Sequence, residues 1–351
     1  MNRILVYCLV TALGLTANAH AKGAKGVQVI ADEANRKVDI TIDGQPFTSY
    51  IWPTSLKKPV LFPLITEEGV TVTRGYPLAP RPGERVDHPH HAGLWFNYGN
   101  ANNFDFWNNS DAIKPADRAK YGSIHHDRIV STKSGPTSGE LTVESTWTTA
   151  AGEDILNQTT RYVFSNKKLD GKPLRSIDMI VTLNALTKVV FHDDKEGLLG
   201  MRVARWLESP DEKGGTFTDA SGNPTTVATV DNHEATGVYL TSEGAKAGAA
   251  WGTRGRWCTL TGSTNSHTVT IAILDHPENP GAPTYWHARG YGLFAANPLG
   301  RSIFDPKQQP FSYTLEKNQA ATFRYRILLL SHTVTPDQMN HEADTFAKDY
   351  R

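Results

Sequence analysis

Apolar and polar residues alternate along most of this chain. Val38, Ile40 and Ile42 are separated by charged or hydroxyl residues. The same period of two recurs at Leu141 and Val143, at Ile177, Met179, Val181 and Leu183, and at Leu199, Met201 and Val203. A two-residue period puts one face of an extended segment in a core and the other in solvent, which predicts antiparallel strands. Glycine and proline, 29 and 20 of 351 residues, interrupt these runs at short intervals as turns require. The stretch "FRYRILLLSH", residues 323–332, predicts a late strand buried on both faces. Helix signals concentrate at the end. Thr335 as N-cap, Pro336 at the first helical position and Gln338 closing a capping box predict one C-terminal helix. Together these patterns predict an all-β protein: a large antiparallel β-sandwich of roughly a dozen or more strands with a short C-terminal helix.

The first residues depart from that pattern. Arg3 precedes a mostly apolar segment over residues 4–15, and Ala19-His20-Ala21 supplies a small-x-small site. This predicts a signal peptide over residues 1–21 and a mature β-sandwich domain over residues 22–351, periplasmic or secreted. The apolar segment is too short to span a bilayer, and no later run is apolar enough, so no membrane insertion is expected. Cleavage removes Cys8 and leaves Cys258 alone, so no internal disulfide is expected. Cys258, in the strand-like "GRWCTL", is expected to pack rather than react. The 36 basic and 36 acidic side chains balance, which argues against electrostatic capture of nucleic acid. G-x-S-x-G, P-loop, G-x-G-x-x-G and H-E-x-x-H motifs are all missing, which sets aside serine hydrolases, nucleotide enzymes and zincins.

Two segments concentrate chemistry. "DHPHHAGLWFNYGN", residues 87–100, opens with Asp87, His88, His90 and His91. If it is extended, His88 and His90 point one way and His91 the other. His-x-His at a strand end aims two imidazoles at one ion, with Asp87 as ligand or orienting group. "DHPENPGAPTYWHARGYGLFAANP", residues 275–298, repeats Asp-His-Pro on a proline-stiffened loop. There His287 and Arg289 share a face, and Arg289 suits a carboxylate or oxyanion. The expectation is that both segments meet at one mouth of the sandwich. His90, His91, His276, His287 and Arg289 are the candidate catalytic groups. Trp95, Asn97, Trp107, Asn279 and Trp286 would line a site for a small molecule or oligosaccharide. His88, His90 and His276 would hold a divalent metal ion that polarises a sugar oxygen or activates water. The plainer alternatives are histidines that cap a sheet edge and a packed loop with an Arg–Asp pair. His125 and His126 alternate faces, so one at most is expected in a shared site. "HDDKEG", residues 192–197, offers Lys195 and Glu196 as acid–base groups or forms a charged turn.

At these residues the chain resembles a known family. "TRGYPL", "DHPHHAGLWF", "DFWN", "KEG", "LDHPENPGAPTYWHARGYGLFAANPLG" and "FRYRILLLSH", in that order, resemble the bacterial family labelled PmoA-like, or methane oxygenase-like, over residues 27–348. The family pattern "HPHHRGLWF" has an arginine where this chain has Ala92. The resemblance implies an exported β-sandwich linked to carbohydrate or glycoside breakdown, similar to the super-sandwiches of sugar mutarotases and polysaccharide lyases. It supplies no reaction. Three readings therefore stand: a hydrolase, lyase or epimerase using histidine or metal chemistry, a non-catalytic carbohydrate-binding protein, and, ranked lower, a copper-dependent oxygenase.

Overall fold

The computed structural model describes residues 25–264 and 266–350, and the signal peptide expected over residues 1–21 lies outside them. The chain opens with β1 (Val27–Asp32), β2 (Lys37–Ile42), β3 (Gln45–Ile51), β4 (Val60–Leu61) and β5 (Leu94–Tyr98). Five strands follow: β6 (Gly122–Lys133), β7 (Ser138–Thr149), β8 (Asp154–Leu169), β9 (Lys172–Ala185) and β10 (Val189–His192). Next come β11 (Gly197–Arg202), β12 (Lys213–Thr218), β13 (Pro224–Thr229), β14 (Val238–Thr241) and β15 (Trp257–Ser263). The last are β16 (Thr268–Asp275), β17 (Tyr285–Arg289), β18 (Leu293–Asn297), β19 (Ser312–Leu315) and β20 (Ala320–Leu330), before helix α1 (Pro336–Phe346).

Two antiparallel eight-stranded sheets dominate, as the alternation predicts. The first has the order β1-β2-β3-β4-β5-β11-β18-β17, and the second β14-β15-β16-β20-β9-β8-β7-β6. The alternating apolar positions face each other between them. Val38 and Ile40 of the first sheet join Val143, Ile177, Met179 and Val181 of the second in one core. Aromatic pairs bridge the layers: Phe47 meets Phe164 at 6.1 Å between ring centroids, and Phe96 meets Phe323 at 5.8 Å. Each such fully buried side chain contributes about 1.5–3 kcal/mol through lost apolar exposure. Cys258 is fully buried in this core.

Helix α1 forms as its sequence signals predict. Thr335 accepts from the Gln338 backbone, and the Gln338 side chain returns the bond. The helix covers the outer face of the second sheet, where Met339, Ala343 and Phe346 pack against Trp257, Leu274, Leu328 and Leu330. Beneath its end lies a buried ion pair. Arg326 on β20 donates to both oxygens of Asp178, its cross-strand neighbour on β9, at 2.6 and 2.7 Å. Asp349 and the Tyr350 hydroxyl complete the network at 2.8 Å each. Among the described residues, no helix is long and apolar enough to cross a membrane.

Removing one partner of a buried ion pair leaves an uncompensated charge. Asp178→Ala should therefore lower unfolding stability by about 3–5 kcal/mol in urea titrations. A loss below about 1 kcal/mol would mean that Asp349 alone satisfies Arg326.

Candidate functional site

Strand alternation sends Leu94, Phe96 and Tyr98 into the core, so Trp95 and Asn97 of β5 point to the outer face of the first sheet. The register lines up Trp95, Gly200, Ala295 and His287 across β5, β11, β18 and β17. Arg202, Leu293 and Arg289 form the next row. Glycine is required in the first row: a Cβ at Gly200 would lie 2.6 Å from Trp95 and 2.7 Å from Trp107. Trp95, Trp107, Leu293 and Ala295 make a small apolar cluster here, with Tyr291 packed against it.

The loop carrying the first histidine segment lies on this floor, and arginines fix it there. Buried Arg74 donates to the carbonyls of Arg85, His88 and His91 at 3.1–3.2 Å and to the Asp87 carboxylate. Arg202, also buried, donates to the same Asp87 oxygen at 2.8 Å. The other Asp87 oxygen faces His88 Nδ1 at 3.2 Å. Burial pushes the Asp87 carboxyl up. The His88 hydrogen bond and the charges of Arg202 and Arg74 outweigh that and hold it well below the usual carboxylate range. Burial lowers Arg74 to about 10, and Arg202 adds to the effect, so the Arg74 guanidinium remains charged at neutral pH. A second buried carboxylate, Glu208, accepts from Arg205 at 2.6 Å and Arg85 at 3.2 Å.

His88 is held in the left-handed region, at φ +42, directly before Pro89. Both circumstances disfavour that conformation for a non-glycine residue. The Arg74 contacts and a 2.9 Å bond from His91 N to His88 O hold the turn. The result aims one imidazole outward: the His88 side chain is 42% exposed, whereas His91 is buried. Four near-parallel rings run inward from there. Tyr291 and His88 are 5.3 Å apart, His88 and His91 4.8 Å, and His91 and Trp95 5.3 Å.

The three histidines of this segment have different chemistry. Burial, with neighbouring positive charge, pushes His91 well below its ordinary value, so it is neutral. Its Nδ1 faces Arg202 at 3.3 Å and its Nε2 faces the Trp107 indole N–H at 3.2 Å. Both neighbours only donate, so a neutral ring can satisfy one of them. His91 is a packed spacer, not a proton carrier. Burial and the Lys58 charge lower His90 to about 2, and its Nε2 is buried without a hydrogen-bond partner. The sequence reading missed Lys58, whose ammonium donates to His90 O at 2.7 Å and lies 5.1 Å from the Trp95 ring centroid. Burial lowers Lys58 to about 7, partly offset by Asp105. Arg74, Arg202 and Tyr291 were also missed. Arg74 stood in the quoted "TRGYPL", but nothing in the sequence paired it with Asp87.

The second segment divides. His287 lies on the same outer face as Trp95, with Nδ1 on Lys195 O at 3.1 Å and Glu196 Oε2 at 3.7 Å. Burial and the charges of Lys195 and Arg289 lower it to about 3. Burial raises Glu196. Arg289 is exposed and 5.8 Å from Tyr291, so it reaches the His88 stack. His276 goes elsewhere. Its ring packs on Phe346 of α1 at 5.1 Å and its Nε2 lies 3.0 Å from Asp349 O, on the outer side of the second sheet. Asn279 is buried there too, bonded to Asp275 at 2.7 Å and to both backbone groups of Arg324. Trp286 alternates into the core and is fully buried, as are Trp107 and, nearly, Trp95. Asn97 is buried, donating to Phe106 O at 2.7 Å. The expectation of one shared mouth is thus corrected: the core lies between His276 and the first segment. The metal set of His88, His90 and His276 is not assembled, and among the described residues no three His, Cys, Asp or Glu groups are placed to hold an ion.

The profile of a family described as "Family of unknown function (DUF6807)" matches residues 37–344. The resemblance to the PmoA-like family is overturned by this match. None of the curated proteins matches. Similar solved structures include the Slr1438 protein of Synechocystis sp. PCC 6803, 7% identical with a TM-score of 0.34, covering 90% of this chain and all of that one. HI1317 is 10% identical with a TM-score of 0.27 over 86% of this chain and 99% of its own. A galactose mutarotase related enzyme from Lactobacillus acidophilus is 8% identical with a TM-score of 0.30 over 88% and 98%. None is close enough to lend a function.

Two measurements check the site's physics. His88→Gly and His88→Ala both delete the ring, but glycine removes the left-handed penalty. The glycine variant should be the more stable by about 1 kcal/mol in paired urea denaturation. Lys58 releases its proton near pH 7 when folded and near 10.5 when unfolded. Between these values the unfolded chain binds more protons, so raising pH favours folding. Wild-type stability should rise relative to Lys58→Met across that interval, and equal slopes would place the amine in water.

Proposed function

The chain belongs to the family of unknown function DUF6807, so its chemistry is read from its own residues, and we propose an exported carbohydrate-active enzyme of hydrolase, lyase or epimerase type. Its proton-transfer group is His88. The observation that carries this reading is the Asp87–His88 pair: a permanently ionised carboxylate, anchored by two buried arginines, on the Nδ1 of the one surface-reaching imidazole of the cluster. Asp87 holds the proton on Nδ1, which leaves Nε2 free to take a proton from a substrate carbon or hydroxyl and return it. Tyr291 backs the ring and stops it swinging. Arg289, exposed beyond Tyr291, supplies positive charge for a developing oxyanion or a sugar carboxylate. His90 and His91, named at the outset as catalytic, serve in this scheme as neutral packing for the reactive ring. His287 and Glu196 lie 3.7 Å apart on the same face, with His287 Nδ1 on Lys195 O instead. A non-catalytic lectin-like role loses its aromatic platform here, because Trp95, Trp107 and Trp286 are enclosed.

On a panel of glycosides and polysaccharides read by product chromatography, His88→Gln should lower turnover by about 10²–10⁴-fold. Asp87→Asn should cause a loss of the same order. Full turnover by His88→Gln on a substrate that the wild type converts would sink the proposal.

A further inference from the structure

A cavity of about 310 Å³ opens on the rim of the sandwich, between residues 52–59 and the edge strand β6. Trp52, Leu56 and Ile124 give it an apolar wall, and Thr54 and Ser123 add hydroxyls. Its charged lining groups, Arg36, Lys57 and Lys58, are all basic. A second hollow of about 230 Å³ shares Lys57, Ser123 and His125 with it and adds Arg118. The only acidic side chain lining that hollow, Asp111, is paired with Lys57 at 2.5 Å. The two hollows adjoin across Lys57, Ser123 and His125, and together they make up a groove along the rim.

Three features mark the groove as built for a ligand. Trp52 is braced from behind: it lies tilted by 31° on His126 with centroids 4.0 Å apart, and His126 Nδ1 bonds the Tyr50 hydroxyl at 3.0 Å. Burial lowers His126 to about 4, so a neutral ring backs the indole at neutral pH. Arg36 and Arg118 face no carboxylate within ion-pair distance among the described residues, whereas Arg81, Arg128, Arg161 and Arg256 each face one. Among the described residues Arg118 donates only its Nε, to Ile113 O at 3.3 Å, and Arg36 shares the cavity of Trp52. A guanidinium without a carboxylate beside an aromatic plate matches a sugar ring that carries a carboxylate, one partner for each. Both His125 and His126 line the cavity, although adjacent strand residues point to opposite sides, because the cavity wraps round the outer edge of β6, where Ile124 N donates to Lys57 O at 2.8 Å.

We propose that this groove binds an acidic saccharide, with Trp52 against the apolar face of a uronate ring and Arg36 and Arg118 on carboxylates. Lys58 contributes to both this groove and the His90 contact, but the proposal stands independently of His88. The probes are trigalacturonate, its neutral methyl ester and inorganic sulfate, titrated by calorimetry into the full chain. Trigalacturonate should bind the wild type. Its methyl ester should bind at least about tenfold more weakly. Trp52→Ala, Arg36→Gln and Arg118→Gln, with unchanged circular dichroism, should each weaken trigalacturonate by a similar factor, and His88→Gln should leave it unchanged. Equal binding of acid and ester, wild-type affinity in the arginine variants, displacement by equimolar sulfate, loss in His88→Gln, or no binding at millimolar concentration would each overturn the assignment.

Discussion

The outer face of the first sheet depends on one carboxylate. Arg74 and Arg202 are both buried and both aim at Asp87. Two guanidiniums side by side away from water repel each other, and each has lost hydration that only a close counter-charge replaces. Asp87 is that counter-charge, and it is shared. One negative group between two positive ones leaves a local surplus of positive charge, only partly met by Glu208, which already serves Arg85 and Arg205. The surplus adds to desolvation in keeping His90 and His91 neutral. The Arg74 contacts that hold Asp87 also hold the carbonyls that force His88 outward. Charge balance, loop conformation and the exposure of one imidazole are therefore a single problem with a single solution.

The fold was legible because period-two alternation is a local signal, and every apolar series read from it falls on the core side of a strand. The helix was legible for the same reason, since its cap is complete within four residues. The site was legible only where its parts are neighbours in sequence. Three histidines in a row of four positions announced the cluster, but the partners that decide their chemistry are distant. Lys58, Arg74, Arg202 and Tyr291 lie 14 or more residues from the histidine each touches or orients. Alternation also explains the division of the second segment. On β17 it sends His287 and Arg289 outward and Trp286 into the core, while His276, at the end of β16, belongs to the other sheet.

The repeated Asp-His-Pro shows how little a tripeptide determines. Asp87 faces two cations and stays ionised. Asp275 is fully buried against an amide and a backbone N–H, and burial raises it to about 7, partly offset by those two hydrogen bonds. The same three residues build a charged, partly exposed corner on one face and a buried structural knot on the other. Zero formal charge over the chain hides a similar contrast, since Arg36, Lys58 and Arg118 lie along the β6 rim with no carboxylate within ion-pair distance among the described residues.

The file of rings from Tyr291 to Trp95 gives the molecule an internal dye. The indole lies two imidazoles beneath the surface. Its immediate surroundings are the His91 ring above, Trp107 edge-on at 5.2 Å and the Lys58 ammonium 5.1 Å from its centroid, and an indole's emission and near-ultraviolet dichroism respond to such neighbours. Exchanging either imidazole changes what the indole touches, so a variant of the pile is readable in its optical signal without an added label.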